Sequence, residues 1–291
     1  MTSPRPRRSP RSRRSPRPRR SPRSRRSVLD TVLGLACLAV MLFPVYWMVN
    51  ASLQPGVSTA DLRVFPVSPS LDGYREAVAG QGGNLVTSLV VSLGAVAVCL
   101  CVATPAAYAL SLHRVRCSGA VLFILLLSQM IPGIIIANAL YSAYNTLGIL
   151  NTVPGLILAD SALGIPFSIL IIRAFMSAIP VSILEAARVD GAGRLRVFLS
   201  IVLPLSRNAL VTAALFSFLF AWSDFLFALT LDSNSAARPV TLGIYQYIGG
   251  FVASWGSVMA TATMASLPAA ILLVVAQKYV AAGATGGAVK S

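Results

Sequence analysis

Six apolar runs divide this chain, at 28–50, 85–111, 119–141, 152–176, 208–231 and 256–277. Each has the length, about 20 residues, that a helix needs to cross the hydrocarbon core of a bilayer. Lipid offers no water to backbone N–H and C=O groups, so a spanning segment must bond within itself as a helix or close into a barrel. A barrel would read as strands of about ten residues with alternating polarity. The runs here are continuous, and the expected fold class is an all-α membrane protein with six transmembrane helices. Composition agrees, since the chain is 56% hydrophobic and 11% charged with a mean hydropathy of +0.75, beyond the apolar share of soluble domains.

The net charge of +15 suggests nucleic acid until the basic residues are located, because twelve of the 24 lie in the first 26 positions. Without them 12 basic side chains meet 9 acidic ones, so the membrane body is nearly neutral. The basic segment repeats hexads such as Ser3-Pro4-Arg5-Pro6-Arg7-Arg8 and Ser9-Pro10-Arg11-Ser12-Arg13-Arg14. Proline in each hexad and like charges throughout oppose a packed fold, so residues 1–27 are expected to form a disordered tail and residues 28–291 the six-helix domain. Three readings of the tail stay open. It is a cytoplasmic anchor, a patch held on anionic membrane lipid, or, ranked last, an RNA-binding arm; nucleic acid is therefore not an expected partner. No signal-peptidase-like site follows a short apolar stretch.

Six crossings put both ends on one side, and Lys and Arg collect on the cytoplasmic side. With the N-terminus inside, inner segments hold the tail arginines and nine further basic residues, including Arg114, Arg116, Arg188, Arg194, Arg196 and Arg207, against Arg63, Arg75 and Arg238 outside. Both termini are thus expected in the cytoplasm of a bacterial cell membrane protein.

That topology exposes a polar island to the cytoplasm. It runs Glu185-Ala186-Ala187-Arg188-Val189-Asp190-Gly191, followed after nine residues by Ile201-Val202-Leu203-Pro204. Pro180 suits the first turn of a helix, the alanines favour its continuation, and Gly191 suits a turn or cap before a second short helix through Phe198. Ala186 and Ala187 permit close approach of another surface, while Glu185 and Asp190 offer carboxylates to basic groups.

The pattern E-A-A, three residues, G, nine residues, I-x-L-P resembles the EAA loop of ABC-importer permeases. Further motifs occur in the family's order: Asn84 to Val91 at the start of the second run, Ala106-Ala107-Tyr108-Ala109-Leu110, Ala221-Trp222-Ser223-Asp224-Phe225-Leu226, and Gly287-Ala288-Val289-Lys290. Together they are similar to the maltose-transporter-G-like carbohydrate permeases, with the core of the fold at about 84–280. The arginine tail departs from that pattern.

The resemblance implies a type I importer transmembrane domain that moves a sugar or oligosaccharide by alternating access. The alternative solutes are a glycerol-phosphate, a polyamine or an amino-acid-like compound. It also implies partners: a homologous second permease subunit, a dimer of ATP-binding subunits and an extracellular solute-binding protein. By the same resemblance Glu185, Ala186, Ala187, Asp190 and Gly191 couple to the ATPase. The chain contains no G-x-x-x-x-G-K-[ST] phosphate loop, so ATP hydrolysis is expected on a separate subunit, with no catalytic residue, cofactor or metal expected here.

Charges within the runs are expensive and face a bundle interior or water. Asp160 and Asp224 are therefore candidates for the substrate path, with a structural hydrogen bond for Asp160 and a local cap for Asp224 as the competing readings. Trp222, Tyr141 and Tyr144 offer surfaces for a sugar, although such residues commonly mark the membrane interface. Pro105, Pro132, Gly133, Pro154, Pro166 and Pro268 are places where a path can open or simply ordinary features of membrane helices. His113 lies at an inner turn, and Cys37, Cys99, Cys101 and Cys117 form no C-x-x-C pair or metal cluster. A proton-coupled transporter would require an essential acid such as Asp160, and a membrane enzyme a clustered nucleophile or metal set.

Overall fold

Every regular element in the computed structural model is a helix among the described residues, 24–54, 56, 63–66, 68–112, 115–249 and 255–286. The expected tail through residue 23, His113, Arg114 and the 287–290 motif lie outside them. The helices are α1 (Ser24–Ser52), α2 (Asp72–Leu112), α3 (Ser118–Ser128), α4 (Gly133–Leu147), α5 (Val153–Met176), α6 (Val181–Val189) and α7 (Arg194–Val197). A π turn, Phe198–Val202, carries α7 into α8 (Leu203–Leu205). Then follow α9 (Arg207–Ser223), α10 (Leu226–Leu231), α11 (Val240–Gly249) and α12 (Trp255–Gly286). The chain forms two units, with their border inside α1 between Tyr46 and Trp47.

Among the described residues four helices, α1, α2, α5 and α12, are long and apolar enough to cross a membrane unaided. Two further crossings arise only if bent pairs are counted: α3 with α4, bent by 95°, and the α7–α8 segment with α9, bent by 74°. The apolar run at 119–141 is therefore not one rod. Proline at 132 pushes the preceding residue out of the helical region, and Pro132 itself, at φ −58° and ψ 132°, precedes the new helix. The run at 208–231 also breaks, because Asp224 is extended at φ −63° and ψ 134° between α9 and α10.

The other prolines have milder effects. Pro105, Pro166 and Pro268 lie inside uninterrupted helices. Pro154 occupies the first turn of α5, where its missing N–H leaves no bond unmade. Thr152 caps that turn, its Oγ1 accepting the Gly155 N–H at 3.1 Å.

The second unit is built around α2, α5 and α9. Lipid tails are as apolar as the helix faces, so close backbone approach through small residues must hold such helices together. Ala103, Ala107 and Ala213 are fully buried with Ile172 and Met176. Ser168 of α5 and Ser217 of α9 share a buried hydrogen bond of 3.0 Å. Trp222 ties α9 to α12, its indole N–H donating to the Ala265 carbonyl at 2.9 Å.

Candidate functional site

The island around Glu185 folds as a short helix pair. Pro180 precedes α6 at φ −60° and ψ 130°, and the apolar Leu184 and Ala187 turn inward while Glu185, Ala186, Arg188 and Asp190 remain exposed. Gly191 ends the helix at φ +77°, a left-handed conformation that favours glycine. The closing bonds run from the Gly191 N–H to the Arg188 carbonyl at 3.0 Å and from the Ala192 N–H to the Ala187 carbonyl at 2.9 Å.

This element is packed onto the membrane bundle. Leu184, Ala187, Val197 and Val202 join the cluster formed by Ala103 and Ala107 of α2, Ile172 and Met176 of α5 and Ala213 of α9. Tyr108 of α2 adds a ring contact to Phe198, centroid to centroid 4.8 Å. Such interiors are close-packed and stiff, and α6 shares this one cluster with α2, α5 and α9. Its outer side combines the exposed carboxylates with bare apolar side chains, Val189 at 87% and Leu195 at 69% exposure. Such a patch rimmed by polar groups has the character of a docking surface. Beside it Ala187, Asp190, Arg196 and Ile201 line a cleft of about 280 Å³.

A second feature lies between the two helix breaks. Gln129 and Gly133, at the α3/α4 bend, and Asp224 and Phe225, between α9 and α10, line a cavity of about 530 Å³ together with Asp160 of α5. Gly133 lets α4 approach α10, since a Cβ there would stand 3.2 Å from the Leu226 side chain. Irregular backbone at membrane depth is tolerated where it borders a cavity or protein, and both breaks meet that condition.

The candidate path residues do not all gather there. Asp160 and Asp224 share the cavity. Trp222 is not among its lining residues; it stacks on Phe218, with centroids 5.4 Å apart and planes 13° apart, and reaches α12. Tyr144 is buried in a cluster with Ala137, Leu156 and Phe227, whereas Tyr141 is exposed. Asp224 caps α10, accepting the Phe227 N–H at 3.3 Å and the Ala228 N–H at 3.1 Å. Its carbonyl accepts the Thr241 hydroxyl at 2.6 Å, joining this break to α11. Gln129 escaped the sequence reading, although a polar residue followed by Pro132-Gly133 inside an apolar run signals a broken span.

Cys99 is buried, its thiol 3.7 Å from the Ser161 carbonyl, and Cys37, Cys101 and Cys117 are exposed. Among the described residues no three His, Cys, Asp or Glu side chains are grouped as a metal site.

Comparison with known proteins places these features in context. The family of binding-protein-dependent transport system inner membrane components matches residues 100–285. The trehalose transport system permease SugB of Mycobacterium tuberculosis is 33% identical over 271 residues, covering 91% of this chain and 96% of that protein. The trehalose/maltose transport system permease MalG of Thermococcus litoralis is 31% identical, covering 89% and 95% respectively. Among solved structures, a chain of a bacterial ABC transporter that imports the acidic polysaccharide alginate shares the fold. It has a TM-score of 0.75 and 23% identity, with coverage of 90% of this chain and 99% of that one.

Proposed function

This chain belongs to the family of binding-protein-dependent transport inner-membrane components, and on that premise we propose that it is a permease subunit importing a sugar or oligosaccharide by alternating access. The observation that carries the reading is the α6–α7 element, which presents Glu185 and Asp190 outward while Leu184 and Ala187 enter the core of α2, α5 and α9. That construction suits a part that receives force at the surface and passes it to the spans. Glu185, Ala186, Ala187, Asp190 and Gly191 are the coupling residues, and the cavity bordered by Asp160 and Asp224 is part of the solute path. Trp222 supports the path from behind by holding α9 to α12.

The relatives named for trehalose and maltose support a carbohydrate cargo. The cavity adds a chemical argument, because no Lys, Arg or His is among its described lining residues, which disfavours a phosphorylated solute. The partners are a second permease, two ATP-binding subunits and an extracellular binding protein. Both termini lie in the cytoplasm, and segments 51–83 and 232–255 face the binding protein.

Co-purification from membranes tests the proposal, comparing wild type with Glu185→Lys and Gly191→Asp. The wild type is expected to bring down an ATP-binding subunit and to support vanadate-sensitive ATPase and binding-protein-dependent sugar uptake. The variants are expected to lose the subunit or the uptake. Normal transport by both variants, with no ATPase partner, would replace this mechanism with a secondary transporter.

A further inference from the structure

The two carboxyl groups of the cavity are not equivalent. Asp224 is engaged with the backbone of α10 through both oxygens. Asp160 is only 7% exposed, lines the same cavity, and has no hydrogen-bond partner among the described residues. A carboxyl at a cavity wall that no protein group engages keeps its full hydrogen-bonding capacity for whatever enters the cavity. A cavity that a ligand enters can supply what the fold leaves out.

From this asymmetry we infer that Asp160 is the specificity-determining hydrogen-bonding residue of a translocation subsite for a neutral, polyhydroxylated solute. The inference rests on the carbohydrate-importer reading and names the side chain that takes hold of the cargo. A sugar ring presents hydroxyls at its rim and C–H groups on its faces. The cavity answers with the Asp160 carboxyl and the Gln129 amide as polar contacts, and with Leu163, Phe220 and Phe225 as apolar walls. Its volume, about 530 Å³, falls among those of small-molecule sites. A metal ion or organic cation is a poorer match, because drawing both carboxylates onto it would strip the cap from α10. The position at two helix breaks suits a transient subsite, since a change in either bend alters the distance from Asp160 to the opposite wall.

The complete transporter reconstituted in proteoliposomes provides the test, with trehalose, maltose and melibiose as probes and binding-protein-stimulated ATPase measured in parallel. Asp160→Ala is expected to lower uptake about tenfold while stimulated ATPase persists, so that ATP hydrolysed per sugar imported rises by a similar factor. Asp160→Asn keeps an acceptor of the same shape and is expected to retain a substantial share of uptake. Wild-type uptake and coupling ratio in Asp160→Ala would overturn the inference. Equal loss of uptake in both variants would overturn it by making charge the requirement, and parallel loss of ATPase and uptake would do so by making the role structural. A wild-type transporter that imports none of the three sugars while its ATPase responds to the binding protein would instead remove the carbohydrate reading on which the inference rests.

Discussion

Gly164 of α5 stands against Cys99 of α2 so closely that a Cβ on the glycine would fall 2.6 Å from the cysteine sulfur. The next residues of the same contact are Ser217 of α9, whose Oγ would lie 3.5 Å from that Cβ, and the Ser168–Ser217 hydrogen bond one turn further along. Three helices converge where none has a bulky side chain.

Gly164→Ala is therefore expected to destabilise the purified permease by about 1–3 kcal/mol through overpacking. Thermal unfolding in detergent measures the loss. Cys99→Ala in the same chain should restore most of it, because the sulfur is the obstructing atom. Equal melting temperatures for wild type and Gly164→Ala would show that the helices separate freely at this point.

Gly191 presents a different case. A Cβ there meets nothing within 4 Å, yet φ is +77°, so any penalty comes from the backbone alone. Gly191→Ala should cost about 1 kcal/mol, leave the membrane bundle intact, and reduce binding-protein-stimulated ATPase by misdirecting α7 from α6. Gly191→Asn should be milder, since asparagine enters the left-handed region more readily. ATPase stimulation measured beside thermal stability separates these outcomes.

Trp222 is expected to matter for stability and not for solute affinity. Trp222→Phe removes the indole donor to the Ala265 carbonyl while leaving an aromatic ring against Phe218, for a loss of about 1 kcal/mol. The sugar concentration giving half-maximal uptake should not change. A large change in that concentration with an unaltered melting temperature would return the indole to the solute path.

Asp224 should respond as a helix cap. Replacement by Ala leaves the Phe227 and Ala228 N–H groups without their acceptor and is expected to destabilise the α9–α10 break by about 1 kcal/mol. Asparagine retains an acceptor and should be tolerated better. Limited proteolysis of the 224–241 region provides a local readout; unchanged cleavage in Asp224→Ala would mean that the Thr241 bond to the Asp224 carbonyl holds the break by itself.

Much of this architecture was legible in order along the chain. The 24-residue helix α5 was readable from its apolar run at 152–176, whereas the structure puts Pro154, one of the candidate openings, in the first turn behind the Thr152 cap. The bend at Gly191 was readable because glycine favours the conformation that ends α6. The break at 129–132 was harder to see, since isoleucines and leucines on both sides conceal a Gln-Met-Ile-Pro-Gly interruption under a high average hydropathy. Trp222 was ambiguous for another reason: the same side chain suits a sugar, an interface or a helix contact, and only its neighbour decides.

By itself, then, the sequence determined the helical class, the apolar runs and the short helix pair on either side of Gly191, because each rests on local chemistry: backbone groups that lipid cannot satisfy, prolines and glycines with restricted or special torsions, and the spacing of polar and apolar residues. Tertiary structure alone decided that two helix breaks meet around one cavity, that Trp222 turns to Ala265, and that Asp160 borders this cavity without a hydrogen-bond partner among the described residues. Those outcomes depend on which distant segments come within hydrogen-bond range, and separation along the chain does not encode that distance.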